Sequence, residues 1–193
     1  MSKVIIIVGL PGSGKTTFIK NLTDSSFVHY YDWGRWFELD EQGNININFS
    51  QDDRFKSLLE SIKGGNNIIL DGSSFCNHRF LCGAEYYLKL NFPNIQIEKY
   101  YFENHPKFAI ANVLYRDYSN GGHWKEIEGK GLVYRGDHFI AEGPNQGKRF
   151  YDVIIGRINE LTKNYIIPDK YTPLKIQVQD KKYFKGWRAL IRE

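Results

Sequence analysis

An apolar run, Val4-Ile5-Ile6-Ile7-Val8, leads without interruption into Gly9-Leu10-Pro11-Gly12-Ser13-Gly14-Lys15-Thr16, and a helix-compatible stretch from Thr17 to Leu22 follows. The octet matches G-x-x-x-x-G-K-[ST] at every fixed position. A strand that feeds a Gly-rich turn and then a helix N-terminus gathers backbone N–H donors and the positive end of a helix dipole around one anion. Glycine lets that backbone approach the anion with no Cβ in the way. Gly9, Pro11, Gly12, Ser13, Gly14, Lys15, Thr16 and Thr17 are the residues expected to line such a seat. Lys15 would reach the β- and γ-phosphates of a nucleoside triphosphate, and the Thr16 hydroxyl would take Mg²⁺.

The chain has 193 residues, 41% of them hydrophobic, enough for one domain with a real core. The net charge of +4 is too mild to argue for nucleic acid by itself. Two cysteines, Cys76 and Cys82, are too few for a disulfide framework and lack a second pair for zinc. They read as reduced, partly buried thiols of a cytoplasmic protein. The apolar run after Lys3 is too short for a signal peptide and flows straight into the loop. No stretch approaches the roughly 18 apolar residues that would span a bilayer.

Strand and helix patterns alternate along the chain. Phe27 to Tyr31 reads as a second strand, ending at Asp32. Phe55, Leu58, Leu59 and Ile62 share one helical face, and Gly64-Gly65-Asn66-Asn67 breaks that helix. Ile68 to Leu70 reads as a short buried strand ending at Asp71-Gly72, and a helix is expected from His78 to Asn91, stopped by Pro93. Ile95 to Phe102 reads as a fourth strand. Pro106 suits the first turn of a helix with Phe108, Val113 and Leu114 on its apolar side. Phe150, Val153, Ile154, Ile158 and Leu161 mark another helix, and Leu174 to Val178 a fifth strand. The alternation implies an α/β fold, a five-stranded parallel sheet with helices on both faces, in a single domain over residues 1–193. The interval from Tyr118 to Lys148 breaks the rhythm with seven glycines, and with His123, Trp124, Arg135 and His138. A long Gly-rich insertion between helices is a candidate lid over a bound ligand, or a surface excursion without a role.

A phosphate-binding loop alone does not separate a kinase from a GTPase, a motor or a sulfotransferase-like protein. Asp32 follows a strand, and strand carboxyl ends face the ligand crevice of such sheets. A carboxylate there can accept the proton of an attacking hydroxyl, although Asp is also a favoured helix cap. Arg35 could hold a phosphate of the acceptor through a bidentate contact. Asp71 ends a strand in a Walker-B-like arrangement and could sit beside Mg²⁺ through water. Arg116 and Arg149 bracket the lid, where cations could close on the transferred phosphoryl group.

The motif Gly9 to Thr17, then Asp32-x-x-Arg35, then Ile68-Ile69-Leu70-Asp71-Gly72, resembles the polynucleotide 5′-hydroxyl kinase branch of the small P-loop kinases. Tyr101 to Pro106, Val113 to Asp117 and Gly147-Lys148-Arg149 look like that group's fourth strand, pre-lid helix and post-lid helix. The resemblance covers most of residues 3–165. It implies the P-loop NTPase fold, ATP as donor, Asp32 as general base, Arg35 on the acceptor phosphate, and Arg116 with Arg149 on the donor phosphates. The chain lacks the Asp-x-Asp-x-Thr motif of the phosphatase fused to the phage repair enzymes, and its lid segment is long.

Residues 181–193 carry Lys181, Lys182, Lys185, Arg188 and Arg192 against one acid, interleaved with Tyr183, Phe184 and Trp187. Cations neutralise phosphates and aromatic rings stack on bases, which suits a DNA or RNA acceptor; an amphipathic terminal helix fits equally. Trp33, Trp36 and Phe37 could stack on an acceptor base or fill the core. The leading expectation is an ATP-dependent kinase acting on a nucleic-acid hydroxyl, either a 5′ end or a hydroxymethylated base. A kinase of nucleotides, nucleosides or small metabolites, and a nucleotide-dependent switch, are the alternatives.

Overall fold

The computed structural model describes residues 2–22, 26–31, 37–38, 40, 52–119, 124–127, 131–134, 144–167, 171 and 173–177. Strand β1 (Lys3–Val8) runs into helix α1 (Lys15–Leu22), then β2 (Phe27–Tyr31), α2 (Asp53–Lys63) and β3 (Asn67–Asp71). A short 3-10 turn (Ser73–Cys76) precedes α3 (His78–Asn91), β4 (Gln96–Phe102) and α4 (Pro106–Ser119). Two short strands, β5 (Trp124–Ile127) and β6 (Gly131–Tyr134), are followed by α5 (Phe150–Lys163) and β7 (Pro173–Leu174).

Five strands form one sheet in the order β2-β3-β1-β4-β7, every pairing parallel. The expected α/β architecture with a five-stranded parallel sheet is therefore present. The middle strand, β1, is almost wholly buried from Val4 to Val8, as a parallel strand covered on both faces must be. Helices lie on both sides. Neighbouring residues of β4 point to opposite faces. Tyr100 meets Phe18 of α1, with ring centroids 5.2 Å apart, while Lys99 pairs with Glu85 of α3. Among the described residues, no helix is long and apolar enough to cross a membrane.

Local chemistry sets the boundaries. The Asp52 carboxylate caps α2, accepting from the backbone N–H groups of Arg54 (2.8 Å) and Phe55 (3.4 Å). Asn77 caps α3 in the same way through Arg79 N–H, at 3.0 Å. Each such cap is worth about 1 kcal/mol. Helix α1 begins at Lys15, two residues before the apolar pattern alone suggested, because the Gly14 carbonyl already accepts from Phe18 N–H at 2.9 Å.

Three expectations need correction, and one open choice is decided. The fifth strand has two residues instead of running from Leu174 to Val178. The Glu103 carboxylate accepts from Ile176 N–H (3.0 Å), and this side-chain bond takes the place of a strand ladder. Helix α4 has no single apolar side, since Ala109 to Leu114 are all buried. It lies against the Gly9–Thr16 loop as well as against α5. Tyr118 belongs to α4, so the break in the strand–helix rhythm starts later than expected; within the interval from there to Lys148, β5 and β6 form an antiparallel pair. Phe37 is fully buried among Phe55, Phe75 and Tyr87, with ring centroids 5.9, 6.4 and 6.1 Å away, and it fills the core instead of stacking on a ligand.

Gly12 and Gly65 both have positive φ, at 83° and 85°. A Cβ on Gly12 would lie 2.2 Å from the Ala109 carbonyl oxygen and 2.8 Å from Val113 Cγ2, whereas one on Gly65 would meet nothing within 4 Å. Gly65→Ala is expected to cost about 1 kcal/mol, the left-handed backbone penalty alone. Gly12→Ala should cost on the order of 3 kcal/mol, because overlap with α4 adds to that penalty. Urea denaturation of the two variants checks this; equal losses would mean that the loop does not pack on α4 this closely.

Candidate functional site

The carboxyl ends of the strands place the candidate residues. In the sheet register Ile7 of β1 stands beside Asp71 of β3 on one side and Tyr100 of β4 on the other, and Asp71 stands beside Tyr31 of β2. The chain leaves this row as the Gly9–Thr16 loop. Sheet topology reverses here, since β1 lies between β3 and β4, and ligands of open parallel sheets bind at such a point.

The loop is tightly built. Ser13 N–H donates to the Leu10 carbonyl at 3.1 Å. The Ser13 hydroxyl is buried beneath the loop, where a Cβ on Gly9 would come within 2.5 Å of it. Lys15 is buried too, and its ammonium donates to the carbonyls of Gly9 (2.8 Å) and Leu10 (3.2 Å). Thr16 and Thr17 are exposed. The helical ladder starts with Phe18 N–H, so the N–H groups of Lys15, Thr16 and Thr17 precede it. Those donors, the helix dipole and the Lys15 ammonium together make a seat for an anion.

Asp71 brings the opposite charge. It is 1% exposed, and neither carboxylate oxygen has a hydrogen-bond partner among the described residues. The His29 imidazole lies near it, with Nε2 3.7 Å from Oδ2, too far for a hydrogen bond. A buried carboxylate in this state is costly unless a cation or a cation-bound water meets it. The donor set fits Mg²⁺, a hard ion held by one or two carboxylates together with ligand phosphates. Among the described residues, no group of three or more His, Cys, Asp or Glu forms a metal cage, and Mg²⁺ held in this way needs none.

Cys76 reports on the same spot. Its thiol is pushed up to about 12, chiefly by burial; the Lys15 ammonium and a hydrogen bond from the Gly9 backbone oppose the shift, and the Asp71 carboxylate adds to it. Lys15, Gly9 and Asp71 thus lie close enough to one buried sulfur to act on it electrostatically.

The other expected residues fall in different places. Arg116 is exposed in the last turn of α4. Arg149 caps α5 and is also exposed, with its guanidinium in a bidentate pair with Asp152 at 2.7 and 3.1 Å. Asp32, Arg35, Trp33, Trp36, His123, His138 and residues 181–193 lie outside the described residues.

Two contributors were not anticipated from sequence. Asn112, in the buried stretch of α4, donates to the Gly12 carbonyl (2.9 Å) and the Gln177 carbonyl (3.0 Å), tying the loop to the segment after β7. A lone amide in Ala109-Ile110-Ala111-Asn112-Val113-Leu114 was the available signal. Arg157 of α5 donates to the Ser73 hydroxyl (3.1 Å), two residues past Asp71. Its spacing on α5 carried no comparable signal.

The sequence matches no protein-family model, and it matches no curated protein.

Cys82, expected to be partly buried, is exposed, with its sulfur 3.2 Å from His78 Nε2, because it faces outward from the first turns of α3. A thiol reagent at neutral pH should therefore label one cysteine of the native protein, Cys82, and reach Cys76 only after unfolding. Equal labelling rates would contradict the burial of Cys76 against the loop.

Proposed function

We propose that the chain is a P-loop kinase that transfers the γ-phosphoryl group of ATP to a hydroxyl of a nucleic acid, either a 5′ end or a hydroxymethylated base. The observation that carries this reading is the pairing of opposite charges at the ends of adjacent strands. Lys15 lies under a Gly-rich turn after β1, and the buried Asp71 carboxylate, with no hydrogen bond among the described residues, ends β3. An anion seat beside an uncompensated carboxylate suits a metal-bound polyphosphate better than either ion alone.

In this reading the N–H groups of Lys15, Thr16 and Thr17 bind and orient the β- and γ-phosphates. The Lys15 ammonium exchanges the carbonyls of Gly9 and Leu10 for phosphate oxygens. Thr16 and Asp71 would hold Mg²⁺, which when bound neutralises charge on the β- and γ-oxygens. The acceptor oxygen attacks the γ-phosphorus, the bond to the β,γ-bridging oxygen breaks, and ADP leaves with that electron pair. Asp32 takes the proton of the attacking hydroxyl, and Arg35 holds the acceptor's phosphate. Both roles rest on the Asp32-x-x-Arg35 sequence motif. Asn112 keeps the loop backbone in place through Gly12.

Offering γ-labelled ATP with 5′-hydroxyl DNA and RNA, hydroxymethylated DNA, nucleosides and nucleoside monophosphates tests the reading. Label is expected in a nucleic acid. Label confined to monophosphates would replace it with a nucleotide kinase, and label in no acceptor would refute phosphoryl transfer to this panel. Asp32→Asn should keep ATP affinity and lose transfer by about 10²–10⁴-fold, the usual scale of general-base catalysis. Lys15→Ala should abolish transfer to every acceptor.

A further inference from the structure

The buried Asp71 carboxylate has an imidazole beside it that does not bond it. His29 Nε2 stands 3.7 Å from Asp71 Oδ2, and neither carboxylate oxygen has a hydrogen bond among the described residues. The strand register explains how the two side chains meet. In the parallel pairing of β2 with β3, Tyr31 stands beside Asp71 and His29 beside Ile69. Alternate residues of a strand share a face, so His29 and Asp71 project from the same side of the sheet. The row of Asp71 continues through Ile7 of β1 to Tyr100 of β4, whose ring packs on Phe18 of α1. This is the side covered by α1, the helix that opens with Lys15 and Thr16. A ring nitrogen and a carboxylate oxygen therefore share one face of the sheet with the start of that helix.

The spacing of the two atoms suits a shared ion. An imidazole N–H bonded to the carboxylate would stand about 2.7–3.2 Å from it. Two bonds of about 2.1 Å, the usual length from a divalent metal to imidazole nitrogen or carboxylate oxygen, span 3.7 Å at one ion. Access is provided for as well. The Asp71 side chain is fully buried, but that of His29 is 37% exposed, so an ion can pass from water to the carboxylate along the imidazole. An ion held there also removes the cost of burying Asp71 without a partner.

The donor types decide which ion. Mg²⁺ takes oxygen ligands and gains little from imidazole, whereas transition cations bind imidazole well. Mn²⁺ accepts carboxylate, water and phosphate oxygens as Mg²⁺ does, and it gains more from a nitrogen. We infer that His29 and Asp71 are two ligands of one divalent transition cation, of which Mn²⁺ is the probe, and that the site prefers Mn²⁺ to Mg²⁺. The remaining positions of the ion are left to water and to oxygens of a bound ligand. That this ion is the one accompanying the polyphosphate rests on the kinase reading; that His29 and Asp71 hold it does not.

The test uses the metal alone. Mn²⁺ and Mg²⁺ are titrated without nucleotide into the full chain, His29→Gln and Asp71→Asn. Mn²⁺ binding is read from the loss of the free ion's EPR signal, and Mg²⁺ binding from its competition with Mn²⁺. The unmodified chain should bind Mn²⁺ about tenfold or more tightly than Mg²⁺. His29→Gln should weaken Mn²⁺ by about tenfold or more and leave Mg²⁺ within about twofold, and Asp71→Asn should weaken both. Pulsed EPR of the bound Mn²⁺ should show a directly coordinated nitrogen that His29→Gln removes. A merely structural role for His29 would lower the melting temperature and weaken both ions alike. No Mn²⁺ binding by the unmodified chain, equal losses of the two ions in His29→Gln, or a nitrogen signal that survives this substitution would each overturn the inference. Mn²⁺ binding that behaves as expected in a chain that takes up no ATP would leave the metal site standing and refute the kinase reading.

Discussion

Strand β1 is hydrogen-bonded along both edges and buried on both faces, so only its ends can meet a ligand. Its two neighbours, β3 and β4, run parallel to it, and their carboxyl ends therefore gather where β1 releases the chain into Gly9. A parallel sheet cannot turn back locally; each strand must be followed by a crossover. The crossovers after β1 and β3 both start at this edge, one as the Gly-rich loop and α1, the other as the 3-10 turn and α3. Chemistry-bearing residues from distant parts of the sequence, Lys15, Asp71, Ser73 and Cys76, are brought together by that topology.

Electrostatics then gives the edge its character. Lys15 uses the loop's own carbonyls as partners, and Asp71 is buried without a hydrogen bond among the described residues. Burial of a charge with so little compensation works against folding, and it is retained most readily where a ligand meets it. The neutral Cys76 thiol near them adds no charge, because burial outweighs the pull of the Lys15 ammonium. The seat is thus polarised: donors and a cation at the start of α1, an acceptor at the end of β3.

Much of this was legible in the sequence. Helix α3 starts and stops where Asn77 and Pro93 punctuate it, and β2 covers Phe27 to Tyr31 as its β-branched and aromatic content suggested. The Gly9–Thr16 motif and the strand-ending Asp71 could be read because each depends on a few adjacent residues. What escaped depends on contacts distant in sequence. Asn112 bonds Gly12 across 100 residues, and Arg157 bonds Ser73 across 84, and no local pattern encodes either. Phe37, open in the sequence between stacking on a ligand and filling the core, completes a core cluster with side chains of α2, the 3-10 turn and α3, none of them its neighbours in sequence. The fifth strand was overextended because an alternating pattern does not reveal that the Glu103 side chain binds Ile176.

The central claim is that Lys15 and Asp71 form the two poles of one seat for a metal-bound polyphosphate. Calorimetric titration of ATP into the full chain and into Asp71→Asn, each with and without Mg²⁺, tests it most directly. The account predicts that the unmodified chain binds ATP more tightly when Mg²⁺ is present, and that Asp71→Asn loses most of that dependence. Binding of ATP that ignores Mg²⁺ in the unmodified chain, or an undiminished Mg²⁺ dependence in Asp71→Asn, would contradict it.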